Sequence, residues 1–118
     1  MNTIGRLIAN AAALWVASYL LSGIQYTGSW PGLLGVALVF GVVNALIKPV
    51  LTVLSLPVQV LTLGMFTFVI NALLLMLTSW LASSLGIAFV VDGFVPALLG
   101  ALIVSIVSGL LSVFLVDD

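Results

Sequence analysis

Charged side chains are almost absent from this chain: Arg6, Lys48, Asp92, Asp117 and Asp118 are the five among 118 residues. A water-soluble domain gives roughly a quarter of its residues to charge. Here 64% of the residues are hydrophobic and the mean hydropathy is +1.51. No fold of this length can hide so much apolar surface from water, so lipid must cover the rest. In hydrocarbon a helix satisfies its own amides and carbonyls, and the expected class is an all-α integral membrane protein.

The same poverty of polar groups narrows the chemistry. Zero cysteines exclude disulfides, thiolate metal sites and thiol nucleophiles, and zero histidines remove the usual general base and commonest metal ligand. Asp92 reads as a turn residue, Asp117 and Asp118 are a terminal pair, and no serine has a base beside it. Neither a glycine-rich phosphate loop, a metal-ligand spacing nor a basic nucleic-acid surface is present. An enzyme is therefore not expected, nor a cofactor or a nucleic-acid partner. The lipid bilayer is the expected partner, with a homo-oligomer or a membrane partner subunit beside it.

A hydrocarbon core about 30 Å thick needs about 20 apolar residues per helix. Polar, glycine and proline punctuation divides the chain into four such spans, about Ile4 to Leu21, Trp30 to Lys48-Pro49, Gly64 to Leu85 and Val95 to Val116. The first resembles a signal h-region, with Arg6 its one cation, but it is long enough to span and no convincing peptidase site follows. Ser29 is a plausible N-cap for the second span, and Pro31 suits its first turn. The apolar stretch 49–63 is broken by Pro49 and Pro57. The favoured path continues the second helix to about Leu54, turns near Ser55-Leu56-Pro57 and starts the third helix soon after; a re-entrant dip is the other path open.

With four spans, Arg6, Lys48 and the C-terminus share one side, and the positive-inside rule makes it the cytoplasm. The expectation is a multi-pass protein of the bacterial inner membrane with both termini inside. Trp15, Trp30, Trp80, Tyr26 and Phe89 then cluster toward the outer ends as an aromatic belt, a simpler reading than a ligand box.

The two halves repeat at an offset of about 65 residues. Trp15, Ala17, Ser18 and Leu20 match Trp80, Ala82, Ser83 and Leu85, and Gly28, Pro31, Leu33, Leu34 and Gly35 match Gly93, Pro96, Leu98, Leu99 and Gly100. Leucine and valine agreements are cheap in this composition, whereas coincident tryptophan, glycine and proline are not. The single membrane domain, residues 1–118, thus divides into repeat 1 (about 4–48), a proline-broken connector (about 49–63) and repeat 2 (about 64–116). Each unit is helix, loop, helix, so the pseudo-twofold should run along the membrane normal. The matched loops after Gly23 and Gly86 alternate in a way that permits a short extended pair on the outer face.

Asn10, Asn44 and Asn71 lie within spans, the latter two about 10 Å from the cytoplasmic side. Lys48 follows Asn44 by one turn, so these four form a candidate intramembrane polar cluster. The plainer reading is hydrogen-bond glue between helices and a snorkelling anchor; the other is a binding or transport site. Small residues recur every fourth position along Ala37, Gly41 and Ala45, and along Ala97, Ala101, Ser105 and Gly109. Such rows let helices approach closely in lipid, within one chain or between copies.

Asn44-Ala45-Leu46-Ile47-Lys48-Pro49, Leu56-Pro57, Leu61-Thr62-Leu63-Gly64 and Ile70-Asn71-Ala72-Leu73 together resemble the signature of the phage holin family 4 superfamily of small bacterial membrane proteins, which includes the YvlD-type proteins. Asp92-Gly93-Phe94 with Ala97-Leu98-Leu99-Gly100 fits as well. The resemblance covers nearly the whole chain and implies a multi-span inner-membrane protein of about this length. It leaves three functions open: a structural or accessory protein, a holin-like pore former, and a small transporter or channel. The chain departs from holin habit in having no charged tail and no pair of neighbouring methionine starts.

Overall fold

The structure, a computed structural model, describes residues 3–114. Six helices and two short strands follow one another: α1 (Thr3–Leu20), β1 (Ile24–Tyr26), α2 (Trp30–Leu46), α3 (Lys48–Leu54), α4 (Leu56–Leu61), α5 (Phe66–Ser84), β2 (Phe89–Val91) and α6 (Phe94–Phe114). Three helical stretches are long and apolar enough to cross a bilayer: α2 with α3 over Trp30–Leu54, α5, and α6. A shorter apolar helix, Ile4–Leu20, joins them.

Proline sets the breaks in the middle of the chain. A proline inside a helix lacks an amide hydrogen and its ring collides with the carbonyl four residues back. Pro49 and Pro57 accordingly sit in the first turns of α3 and α4, and the regular helix is interrupted at Ile47 and Ser55. Hydrogen bonds bridge both breaks, Leu51 N–H to the Ile47 carbonyl at 3.0 Å and Gln59 N–H to the Ser55 carbonyl at 2.8 Å. The connector is thus helical. The expected turn at Ser55-Leu56-Pro57 is only a bend, the reversal falls at Thr62–Met65, and the third long helix starts at Phe66 rather than Gly64.

That reversal is a Schellman turn. Gly64 N–H reaches the Gln59 carbonyl at 2.8 Å, and Leu63 and Gly64 have φ of 56° and 86°. The end of α5 repeats the device, with Ile87 N–H on the Ala82 carbonyl at 2.9 Å and Gly86 at φ 82°. At α2 the expected cap is different in kind: Ser29 occupies the N-cap position with no side-chain capping bond, and its carbonyl accepts from the Tyr26 hydroxyl instead. α6 is described to Phe114; the rest of the expected span to Val116, with Asp117 and Asp118, lies outside the described residues.

The four long helices form a ring in which α1 packs on α2 and α6, and α5 on the same two. Leu14, Ala13 and Ala17 of α1 meet Val36 and Ala37 of α2, Leu75 and Ala82 of α5, and Val104 of α6 in one core. Val43, Ile70 and Leu74 form a second cluster farther from the strands. At the strand end β1 and β2 pair antiparallel, Ile24 opposite Val91, Gln25 opposite Val90 and Tyr26 opposite Phe89. Two strands alone are marginal, but Ile24 and Phe89 are fully buried in the end of the ring and pin them. Phe89 is therefore a core residue and not a member of the expected belt, of which Trp15, Trp30 and Trp80 are exposed and Tyr26 is half-buried. The close fit depends on Gly100: a Cβ there would lie 3.0 Å from Leu75 Cδ2 and nearer still to the Ile24 side chain.

Candidate functional site

α1 and α2 are antiparallel partners joined through β1, and their far ends do not close on each other. Between them lies a cleft of about 500 Å³ bordered by Arg6, Leu7 and Asn10 of α1 and by Ala37, Leu38, Gly41, Val42, Asn44 and Ala45 of α2. Small side chains on α2 make the space: a Cβ built on Gly41 would meet nothing within 4 Å. Two of the three intramembrane asparagines thus share one cavity.

The other members of the expected polar cluster are elsewhere. Asn71 and Lys48 are half-buried and do not border the cleft. Asn44 Nδ2 donates to the Phe40 carbonyl of its own helix at 2.7 Å, so Asn44 and Asn71 do not bond each other. The physical reason is local: a carbonyl one turn back is always within reach of a helical asparagine, at no cost in helix packing. Of these four described residues, Asn10 alone bonds to a neighbouring helix, its Oδ1 accepting from the Ser108 hydroxyl of α6 at 3.4 Å.

The small-residue rows divide in the same way. Ala97 and Ala101 are buried in the ring, whereas Ser105 and Gly109 are exposed and a Cβ on Gly109 would meet nothing within 4 Å. On α2, Ala37 is buried, Gly41 half-buried and Ala45 exposed. Each row therefore leaves the bundle partway along its length.

One polar residue escaped the sequence reading. Ser79 of α5 is buried, donates to the Phe89 carbonyl at 3.3 Å and accepts from Val91 N–H at 3.1 Å, while Ser83 donates to the same carbonyl at 3.3 Å. These hydroxyls fasten β2 to the helix. The available signal was two serines four residues apart, on one helix face just before an extended loop. In the connector Thr67 donates to Gln59 at 3.2 Å, tying α4 to α5. Among the described residues no group of three or more metal-ligating side chains converges.

Long apolar helices with exposed leucine and isoleucine at Leu38, Leu46, Leu73, Ile106 and Leu110 define a small helical membrane protein. The chain belongs to the family described as mycobacterial 4 TMS phage holin, superfamily IV, which it matches over residues 1–110. It is 54% identical to the uncharacterised Streptomyces coelicolor protein SCO3922 over 98% of this chain and 97% of that one. It is 37% identical to the uncharacterised membrane protein YvlD of Bacillus subtilis over 85% of this chain and 81% of the relative. No solved structure matches.

Proposed function

We propose that this is a non-enzymatic structural or accessory protein of the bacterial inner membrane, acting by association with further copies or with a partner subunit. The observation that carries this reading is the closed interior of the ring together with its uncovered small residues. Leu14, Val36, Leu74 and Leu75 are buried where a conducting path along the axis would need polar, hydrated walls. Gly109 and Ser105 instead face outward, where in lipid a close-packing surface stabilises contact with another helix. The proposed topology has four crossings, with the strands outside and the Arg6 end in the cytoplasm, as the placement of Arg6 and Lys48 argues.

The family description favours a second reading, in which accumulated copies open a lesion in the manner of a phage holin. Induced expression with a potential-sensitive dye separates the two. The accessory reading predicts steady growth and an unchanged membrane potential as the protein accumulates to high level. Abrupt depolarisation with growth arrest at a threshold would replace it with the holin reading.

A further inference from the structure

The α1/α2 cleft is graded in polarity along its length. Arg6 stands at the end of the bundle away from the strands, Asn10 lies about 6 Å further in along α1, and the opposite wall is Ala37, Gly41 and Ala45 with Asn44 beside them. Among the described residues the one carboxylate is Asp92, at the other end of the molecule, so no described acid neutralises Arg6. The asparagine hydrogen bonds leave donors over. Asn10 uses Oδ1 toward Ser108 and keeps both Nδ2 hydrogens, and Asn44 spends one Nδ2 hydrogen on Phe40 and keeps the other. A guanidinium and two amide donors above an apolar, small-residue wall form a site for an anion attached to a hydrocarbon chain.

We infer that the cleft binds one anionic phospholipid, its phosphate against Arg6 and the amides of Asn10 and Asn44, and an acyl chain along Ala37, Gly41 and Ala45. An arginine near the membrane surface attracts anionic headgroups and can pair a phosphate through two parallel N–H bonds. The positions at the repeat offset in the second half are Asn71 for Arg6, Leu75 for Asn10, Leu102 for Ala37 and Ile106 for Gly41. The cation and the small residues of the cleft belong to the first half alone. This assignment is independent of the association reading, since a lipid can occupy the cleft of a single copy.

Purified protein in neutral detergent tests it by native mass spectrometry and thermal shift, titrated with phosphatidylglycerol, with phosphatidylcholine of the same chains, and with inorganic phosphate. Phosphatidylglycerol should be retained and raise the melting temperature, and the other two should not. Arg6→Gln, at an exposed position, should weaken retention about fivefold. Gly41→Leu should block it, since a Cβ at Gly41 meets nothing within 4 Å and Gly41 borders the cleft that the longer side chain would fill. Lys48→Gln should leave it unchanged, because Lys48 does not border the cleft. Equal retention of both lipids, or retention indifferent to Arg6→Gln and Gly41→Leu in folded protein, overturns the inference. Stabilisation by inorganic phosphate equal to that by phosphatidylglycerol also overturns it, and makes the cleft a site for a soluble anion.

Discussion

Leu63 is the residue most at odds with its own backbone. It holds φ at 56° while 92% of its surface is exposed, so no packing compensates for the left-handed conformation. The turn after α5 meets the same geometric demand with Gly86, which has no Cβ to crowd the carbonyl. An L-residue in this region costs about 1–2 kcal/mol, part of which glycine gives back as backbone entropy in the unfolded chain. Leu63→Gly should therefore stabilise the protein by roughly 0.5–1 kcal/mol, seen as a higher melting temperature in detergent; a lower one would mean that Leu63 makes a contact outside the single chain. Ser79 shows the opposite economy, one hydroxyl serving two backbone groups of β2. Ser79→Ala should cost about 1–3 kcal/mol and speed hydrogen exchange at the Val91 amide, and an unaltered exchange rate would show that the Ser79 hydroxyl does not hold β2.

At the scale of elements, the strand pair is the feature most open to direct measurement. Asp92 N–H to the Gly23 carbonyl at 2.7 Å and Thr27 N–H to the Ala88 carbonyl at 3.2 Å place Gln25 and Val90 as a hydrogen-bonded pair midway between them. Their Cα atoms are then about 5.5 Å apart, within disulfide reach, and the natural chain has no cysteine to interfere. Gln25→Cys with Val90→Cys should lose both free thiols on mild oxidation, whereas Gln25→Cys with Thr62→Cys should keep them. Thiols that persist in the first pair would place the two loops apart. The long helices and this strand pair were legible in the sequence because apolar length, Pro31 and the alternating loops each carry a local signal. The connector was legible only in part: the continuation past Pro49 to Leu54 could be read from its apolar run, but not that a further helix, Leu56–Leu61, follows the break before Pro57. The polar cluster was the least legible, because helical spacing fixes depth and not direction, and Asn44 turned to its own Phe40 carbonyl.

For the whole molecule, we propose a twofold relation between the halves, which would account for several features at once. At an offset of 65 Ile24, Gln25 and Tyr26 correspond to Phe89, Val90 and Val91, and exchanging the halves leaves the ladder unchanged: Ile24 pairs with Val91, and their counterparts Phe89 and Tyr26 pair with each other. Both strands share one burial pattern, buried, exposed, half-buried. We propose an axis through the Gln25–Val90 pair, and spin labels at Trp15 with Leu34 and at Trp80 with Leu99 should return matching distances; values that differ by a helix diameter would reduce the repeat to composition. Everything functional proposed here rests on a bundle that crosses the bilayer four times with its strands on the outer face. The absence of natural cysteines makes that directly measurable with single cysteines at Gln25, Asp92 and Thr62 and a membrane-impermeant thiol reagent. Intact spheroplasts should label Gln25→Cys and Asp92→Cys but not Thr62→Cys, and inverted vesicles should show the reverse. Labelling of Thr62→Cys from the same side as Gln25→Cys would contradict the account.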